Sequence, residues 1–286
     1  KNQEIWLFLS YICRMTKNLD NIGLKSVADQ YDLFFVDLWG VVHNGIELYK
    51  DSTNVLEKLL EKNKDLVLLT NAPRPNNDVK NFLKKMGLEQ KYYSKVYTSG
   101  EAALNYLSLN FKDKPFFHIG PPRDFGLFNN FKKNKIQKIS EAKYLLCTGL
   151  FDEHDKELSY YKTLLKNEID KIMICTNPDL IVDRGQKREF CAGSVAKVFE
   201  EIGGTVEYFG KPHPKVYNLA ANINNKKVFC IGDNLNTDIK GANNQNFASL
   251  LITNGIHRQE VENENFEKIM KKYKTKVDYT QSKLKW

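Results

Sequence analysis

From residue 31 onward, short apolar runs alternate with segments whose apolar residues recur at helical spacing. The first run, Leu33–Asp37, predicts a strand, and Asp51–Asn63 predicts a helix with one apolar face. Alternation of this kind is typical of a parallel β-sheet with helices on both faces. The pattern therefore predicts an α/β fold.

The same alternation continues to residue 253, and it predicts the following elements. Further strands are expected at Leu66–Thr70, Lys95–Thr98, Phe116–Ile119, Tyr144–Thr148, Lys171–Thr176, Val206–Phe209, Lys227–Ile231 and, as the last strand, Ser249–Thr253. Further helices are expected at Asn76–Met86, around Asp155–Lys166, at Ser194–Ile202 and at Pro214–Ile223, with one more capped by Ser99. The stretch 176–193 predicts a loop of unusual composition.

The first strand ends in a carboxylate, Asp37, which enters a glycine-containing turn. Burying that carboxylate is costly unless a cation or hydrogen-bond donors accompany it. Acids at the strand ends of open α/β sheets lie where such folds bind ligands. Asp37 therefore indicates either a satisfied structural acid or a functional site.

Other polar residues follow later strands or lie in the loops beside them: Thr70 with Asn71, Lys211, and Asp233 with Asp238. Converging carboxylates repel one another unless a cation lies among them, and Mg²⁺ prefers one or two carboxylates with waters and phosphate oxygens. Lysine, threonine and asparagine provide donors for phosphate oxygens. Once the metal and Lys211 neutralise the charges of the site, Asp37 would attack phosphorus and form an aspartyl-phosphate.

Each of these elements also has a structural interpretation. Thr70 and Asn71 would cap a turn, Lys211 would be a surface lysine, and Asp233 or Asn234 would cap a helix. Their occurrence in order, each after a predicted strand, favours a phosphoryl site over this alternative.

The order of these motifs resembles the haloacid dehalogenase superfamily, specifically its class IIA phosphatase-like branch of nitrophenyl, pyridoxal and phosphoglycolate phosphatases. The match covers most of residues 31–256. The motifs are, in order, VDLWGVVHNG, LLTNAPR, the lysine of FGKPHPKVY, and IGDNLNTDIKGA, while TNPD and CAGS resemble the cap segment of the branch.

The resemblance implies a Rossmann-like parallel-sheet core with an inserted α/β cap domain. We expect an N-terminal extension over residues 1–30, a discontinuous core over 31–111 and 206–286, and the cap over 112–205. Because relatives often dimerise through the cap, a homodimer of that kind is a further expectation.

By resemblance, Asp37 would be the nucleophile, Thr70 a phosphate-binding hydroxyl and Lys211 the charge-neutralising cation. The expected substrate is a small phosphorylated metabolite. Substrate contacts are expected from Asn71, Asn177 and Asp179. The residues of the predicted loop 176–193, which include Asp183 and Arg184, do not identify the substrate.

The resemblance also implies Mg²⁺ as the cofactor. Asp37, Asp233 and the backbone carbonyl of Trp39 would bind the ion. Asp238 would support either the metal or Lys211.

Trp39 is where the sequence departs from the family pattern. Most phosphatases of the family carry a second Asp at this position, which protonates the leaving oxygen and then activates water. An indole cannot transfer a proton, and general acid–base catalysis is typically worth about 10²–10⁴-fold. His43 is the nearest titratable replacement, and a turn residue hydrogen-bonded to backbone is its alternative interpretation.

Three hypotheses therefore stay open. The protein is a phosphatase with a substituted acid or with substrates that have good leaving groups, a carbon–halogen hydrolase, or a non-catalytic protein that binds a phosphorylated ligand. Some dehalogenases of the superfamily also carry an aromatic residue at this position, but dehalogenation needs no Mg²⁺.

Composition narrows the class further. The 286 residues are 42% hydrophobic and 27% charged, which is typical of a globular protein with a substantial core. The net charge of +8 comes largely from scattered lysines, without an aromatic-interleaved basic stripe, so we expect no nucleic-acid partner.

The cysteines and the apolar residues near the start of the chain bear on its location. Five cysteines without a CxxC pair are typical of a reducing compartment. The apolar patch Ile5–Ile12 is too short for a membrane span. We therefore expect a cytoplasmic protein without a membrane partner.

Overall fold

The structure is a computed structural model and describes residues 16–286. Its strands are β1 (Lys17–Asn18), β2 (Leu33–Val36), β3 (Asp65–Thr70), β4 (Val96–Thr98), β5 (Phe116–Ile119), β6 (Tyr144–Cys147), β7 (Ile172–Cys175), β8 (Ile181–Arg184), β9 (Lys187–Phe190), β10 (Thr205–Tyr208), β11 (Val228–Gly232), β12 (Ala248–Ile252) and β13 (Tyr279–Gln281).

The helices connect these strands. They are α1 (Lys25–Ala28), α2 (Lys50–Glu61), α3 (Asn76–Lys85), α4 (Ser99–Asn110), α5 (Leu158–Leu165), α6 (Ala192–Glu201), α7 (Lys215–Ala220), α8 (Lys240–Asn244), α9 (Arg258–Asn263) and α10 (Phe266–Tyr273). 3₁₀ segments cover Pro122–Asn134, Ile139–Glu141 and Asp152–His154, and a π-helical turn covers Leu235–Ile239.

The larger sheet has seven strands in the order β1-β13-β12-β11-β2-β3-β4, all paired in parallel. Both faces of β2 are buried: Phe34 and Val36 share a core with residues of α2 and α3, while Leu33 and Phe35 pack with residues of α7 and α8. Strands that are buried on both faces give continuous apolar runs. The predicted α/β class is confirmed.

The smaller sheet has four parallel strands in the order β10-β7-β6-β5. One of its faces packs against residues of α5 and α6. The other face packs against α4 and the 3₁₀ segment Pro122–Asn134. The boundary expected between cap and core, after residue 205, falls inside strand β10.

The prediction of a loop over residues 176–193 is wrong for residues 181–190. Strands β8 and β9 form an antiparallel hairpin, from the pair Ile181 and Phe190 to the pair Arg184 and Lys187. Gly185 takes the left-handed conformation in its two-residue turn, with φ of 58°. Because most of the hairpin is charged and half-exposed, no apolar alternation marks it in the sequence.

Two further sequence predictions are corrected by hydrogen bonds and pairing. The N-cap of α4 is Thr98, whose side chain accepts a hydrogen bond from the Glu101 amide; Ser99 instead donates to the Thr176 carbonyl at 2.6 Å. Ser249–Thr253 does not contain the last strand, because β13 follows and pairs with both β12 and β1.

Part of the segment that the sequence set apart as an N-terminal extension packs on the larger sheet. Strand β1 pairs with β13, and Leu19, Leu24 and Val27 are buried in the core beside β2. Residues 1–15, with the apolar patch Ile5–Ile12, lie outside the described residues. Within residues 16–286, no helix combines the length and apolar character needed to cross a membrane.

Candidate active site

Three adjacent strands of the larger sheet bring predicted site residues together at one edge. Asp37 follows β2, Thr70 ends β3 and Asp233 follows β11, and β2 lies between the other two strands. Ligand sites of open α/β sheets lie outside the carboxyl ends of the strands. The exposed fractions of these three residues are 9%, 2% and 8%. Their polar atoms therefore need partners within the protein or in a bound ligand, because little water reaches them.

Lys211 lies at the centre of this group and is 4% exposed. Its Nζ donates hydrogen bonds to Asp37 Oδ1 at 2.5 Å, to Asp238 Oδ1 at 2.7 Å and to the Leu69 carbonyl at 2.9 Å. These bonds use all three protons of the ammonium group. Lys211 therefore orients two carboxylates and offsets one of their two negative charges.

The carboxylates form a cluster with excess negative charge. One oxygen each of Asp37, Asp233 and Asp238 lie within 4.8 Å of one another. Burial raises the pKa of Asp37 to about 7, against the opposing effect of Lys211, and burial together with Asp37 raises the pKa of Asp233 well above its ordinary value. Although burial opposes it, the charges of Asp238 and Asp37 raise the pKa of Lys211.

This donor set fits a hard divalent cation. Three buried carboxylates face only one ammonium group, and oxygen ligands at close range are those that Mg²⁺ prefers. The raised pKa values of Asp37 and Asp233 have burial as their largest cause and mutual repulsion as a further one. A cation among the oxygens would relieve the repulsion.

Backbone amides fix the two carboxylates that follow β11. Asp238 Oδ2 accepts from the Asn234 amide at 3.1 Å, and Asp233 Oδ2 accepts from the Ile256 amide at 2.9 Å. Asn234 also caps the π-helical turn Leu235–Ile239 by accepting from the Asn236 amide at 2.9 Å. The helix-cap interpretation of this motif is therefore correct for Asn234, and it holds together with the convergence of the acids.

Glycines leave the space that the acids occupy. A Cβ at Gly40 would lie 2.0 Å from Asp233 Oδ2, and a Cβ at Gly255 would lie 2.2 Å from the same oxygen. A Cβ at Gly232 would lie 2.0 Å from Asp238 Cγ. These contacts explain why the motifs around the acids contain glycine.

Asn71 connects Lys211 to Asp179, which lies in the loop after β7. Its Oδ1 accepts from the Lys211 amide at 2.8 Å, while its Nδ2 donates to the Lys211 carbonyl at 3.0 Å and to Asp179 Oδ1 at 3.2 Å. Asn234 Nδ2 donates to the same Asp179 oxygen at 3.3 Å. Burial raises the pKa of Asp179 to about 6.

The remaining predicted residues have local contacts. Asn177 Oδ1 accepts from the Asp179 amide at 3.1 Å. Thr70 Oγ1 accepts from the Ala72 amide at 3.2 Å, so Thr70 caps a turn, as its structural interpretation predicted, at the same place where it borders the site. The two functions are compatible because the hydroxyl proton is not used in that bond.

Two cavities meet at Trp39 and Asp37. One has a volume of about 250 Å³ and the other, which extends toward the second sheet, about 360 Å³. Every predicted site residue lines at least one of them: Asp37, Trp39, Thr70, Asn71, Asn177, Asp179, Lys211, Asp233 and Asp238.

His43 does not have the properties of a replacement acid. It is fully buried, and its Nδ1 accepts from the Gly45 amide at 3.0 Å. Burial, with the charge of Arg184, lowers the pKa of His43 to about 4. A group that is neutral throughout the physiological range is a poor proton donor, so the structure favours the turn-residue interpretation.

Sequence reasoning missed several cations that line the larger cavity. They are Arg74, Arg123 and Lys187. Arg74 is the last residue of the motif LLTNAPR and lies four residues after the predicted strand Leu66–Thr70, so the sequence already placed it near the site. Arg123 and Lys187 lie in segments without periodicity, and only the packing of the two sheets brings them to the cavity.

Comparison with known proteins finds haloacid dehalogenase-like hydrolases and phosphatases. Residues 34–132 match the model of a haloacid dehalogenase-like hydrolase family, and residues 208–275 match a second model of haloacid dehalogenase-type hydrolases. Phosphoglycolate phosphatase 1A, chloroplastic, of Arabidopsis thaliana is 27% identical over 84% of this chain and 73% of its own length. The 4-nitrophenylphosphatase of Schizosaccharomyces pombe is 24% identical over 82% of this chain and 88% of its own length.

A solved structure extends the likeness to nearly the whole chain. A haloacid dehalogenase-like hydrolase from Brucella suis 1330 superposes with a TM-score of 0.80 and 28% sequence identity, covering 92% of this chain and 98% of that one.

Proposed function

Because the chain belongs to the haloacid dehalogenase-like hydrolases and is a hydrolase enzyme of that family, we propose that it is a Mg²⁺-dependent phosphatase of small phosphorylated metabolites. The observation that carries the proposal is the buried group of Asp37, Lys211, Asp233 and Asp238 at the ends of adjacent strands. The phosphoglycolate and 4-nitrophenyl phosphatases among its relatives support it.

In this proposal Asp37 is the nucleophile. Lys211 holds Asp37 Oδ1 at 2.5 Å, and Oδ2 is the atom that would attack phosphorus to form the aspartyl-phosphate. Thr70, at the neighbouring strand end, would donate its hydroxyl proton to a phosphate oxygen. Asn71 positions Lys211 through its backbone, which makes it a positioning residue as much as a substrate contact.

The residues that would hold Mg²⁺ are Asp37, Asp233 and the backbone carbonyl of Trp39. Asp238 lies 2.7 Å from Lys211, so its main proposed role is to orient that lysine beside the metal. When bound, the ion supplies positive charge to the oxygens of the phosphate. The chain's own contribution is to hold the acids close and buried before the substrate arrives.

We also propose that the smaller sheet and its helices act as a cap over the site. Asn177 and Asp179, from the loop after β7, line the larger cavity together with Asp37. Because β10 pairs with β7 in the smaller sheet, the proposed cap extends to Tyr208, a few residues beyond the boundary expected from the sequence.

Trp39 favours a second candidate, a protein that binds a phosphorylated ligand without turning it over. Its indole stands where family phosphatases carry the general acid, and His43 does not replace it. The metal cluster and the lysine would then serve binding alone. Turnover decides between the candidates.

The test is Mg²⁺-dependent release of p-nitrophenol from p-nitrophenyl phosphate, whose good leaving group needs little protonation. Asp37→Asn should lower the rate by about 10³-fold or more, as expected for removing a nucleophile. Asp29→Asn is the matched control, because Asp29 is an exposed carboxylate paired with Lys62 at the surface.

Other outcomes would point to the alternatives. Thermal stabilisation by phosphate that requires Mg²⁺, without turnover of any phosphate ester, would support the binding protein. Release of halide from a haloacid without metal would support a carbon–halogen hydrolase. A wild-type rate in Asp37→Asn would contradict the proposed nucleophile.

A further inference from the structure

A cation with unengaged donors lies against Trp39. The guanidinium carbon of Arg184 is 5.2 Å from the centroid of the Trp39 ring. Arg184 Nε lies 3.4 Å from Glu189 Oε2, and its two terminal nitrogens have no hydrogen bond to any of residues 16–286. A guanidinium stacked on an aromatic face keeps its edge donors available. Arg184, Trp39 and Asp37 line the same cavity of about 360 Å³.

The other cations of the two cavities are each engaged by acids. Lys211 contacts Asp37 and Asp238, Arg74 contacts Asp124, Arg123 contacts Asp152, Lys187 contacts Asp155 and Glu189, and Arg258 contacts Asp183. Lys211 in particular donates all three of its ammonium protons to oxygens of the protein. Arg184 differs from these cations in one respect: its contact with Glu189 is at Nε, and its two terminal nitrogens have no hydrogen bond within residues 16–286.

The hairpin that carries Arg184 is fixed over the main sheet. Asp183 Oδ2 accepts from Arg258 at 2.5 Å, and the Gly185 amide donates to the Asn44 carbonyl at 3.1 Å. These contacts flank Arg184 on both sides in the sequence. They place the guanidinium against Trp39, two residues from the proposed nucleophile, while 42% of the Arg184 side chain stays exposed.

We propose that Arg184 contacts the leaving oxygen of the phosphate ester and stabilises its negative charge, replacing the proton transfer that Trp39 cannot provide. This inference rests on the proposed phosphatase function. An Asp37 oxygen forms a bond to phosphorus while the phosphorus–oxygen bond of the ester breaks. The electron pair of the broken bond stays on the leaving oxygen, and Arg184 donates hydrogen bonds to it. The oxygen takes a proton from water as the alcohol departs, and the hydroxide left behind attacks the aspartyl-phosphate, breaking its bond to Asp37 and releasing inorganic phosphate.

The role predicts a dependence on the leaving group. Arg184→Gln should lower kcat/KM for alkyl phosphates by about 10²–10³-fold, the effect of removing one donor to a developing oxyanion. For p-nitrophenyl phosphate, whose leaving oxygen holds its charge well, the loss should be under about tenfold. The slope of log kcat/KM against leaving-group pKa, measured over a series of aryl and alkyl phosphates, should therefore become steeper.

Two variants keep this test interpretable. Arg184→Lys should restore part of the alkyl-phosphate rate, because it retains one cation without the planar fork. Arg123→Gln removes a cation from the same cavity that is already paired with Asp152 at 2.6 Å, and it should leave the slope at the wild-type value. Melting curves of each variant confirm that it is folded.

The outcomes separate this inference from the function on which it rests. A steeper slope for Arg184→Gln supports it. An equal loss for every ester, no loss, or a loss confined to esters that carry a second anionic group would overturn it while leaving the phosphatase intact. Absence of turnover in the wild-type protein, with a folded and Mg²⁺-binding chain, would overturn both.

Discussion

Lys211 is the ammonium group among the clustered acids of the candidate site. In the sequence it is one lysine between Gly210 and Pro212, and its own neighbours do not distinguish it from a surface lysine. The structure buries it with Asp37 and Asp238 as its ionic partners. A buried ammonium group is stable only with such partners, and these come from strand ends that are distant in the sequence. Only the order of the motifs pointed to the lysine.

The acid cluster predicts how stability depends on pH in the metal-free protein. The pKa of Asp37 is raised from 3.8 to about 7, so the folded state binds this proton more tightly than the unfolded state. Its contribution to the free energy of unfolding is fully present below pH 4 and is lost as the pH rises through about 7. Melting temperatures without metal should therefore fall between pH 5 and pH 8.

Mg²⁺ should reverse this trend, because it replaces the protons on the carboxylates. The rise in melting temperature that saturating Mg²⁺ produces should be larger at pH 8 than at pH 5. Asp37→Asn, which carries no titratable group at this position, should show a flatter dependence in the metal-free state. A metal-free melting temperature that rises from pH 5 to pH 8 in the wild type but not in this variant would contradict the assignment.

At the scale of elements, the turn after β2 shows why glycine is required beside the acids. Gly40 takes the left-handed conformation, with φ of 74°, and a Cβ there would lie 2.0 Å from Asp233 Oδ2. The turn therefore serves two functions, since it ends the strand and leaves the space into which the carboxylate projects.

Gly40→Ala should weaken Mg²⁺ binding more than it weakens the fold. The matched control is Gly87→Ala, because Gly87 has φ of 88° and no atom within 4 Å of its Cβ position. Both variants should lose about 1–2 kcal/mol of stability through the left-handed backbone. Only Gly40→Ala should also lose the stabilisation by Mg²⁺, measured as the shift in melting temperature over a Mg²⁺ titration.

The comparison of these two variants has a clear negative outcome. If Gly40→Ala and Gly87→Ala respond to Mg²⁺ alike, Asp233 is not positioned by the turn, or it is not a ligand.

Elements differ in how well the sequence predicts them. Strand β2 was predicted to within one residue, because its burial on both faces produces an uninterrupted apolar run. The hairpin of β8 and β9 was not predicted, because it packs over the site with half-exposed charged side chains. Its signal lies in contacts such as Asp183 with Arg258, which a single sequence does not contain.

At the scale of the whole molecule, the site depends on how the two sheets meet. The larger sheet supplies the acids at the ends of β2 and β11, and the loop after β7 of the smaller sheet supplies Asp179. Asn71 and Asn234 both donate to Asp179, so the junction is polar and hydrogen-bonded.

The sequence predicted that the main sheet is parallel and that acids lie at the ends of its strands, since alternating strands and helices place carboxyl ends together. It did not predict that residues 16–30 and β13 complete the same sheet. Strands β1 and β13 are short and largely polar, and only their pairing with β12 and with each other marks them as strands.

The central claim is that Asp37 becomes phosphorylated during turnover, and trapping the intermediate tests it most directly. The enzyme is mixed with p-nitrophenyl phosphate and Mg²⁺, quenched in acid, and treated with borohydride, which reduces an aspartyl-phosphate to homoserine. Mass spectrometry of the peptides should then show homoserine at position 37 in the wild type, and aspartate there when substrate is omitted. Steady turnover with unmodified Asp37 at every quench time, or homoserine at another aspartate, would contradict the account.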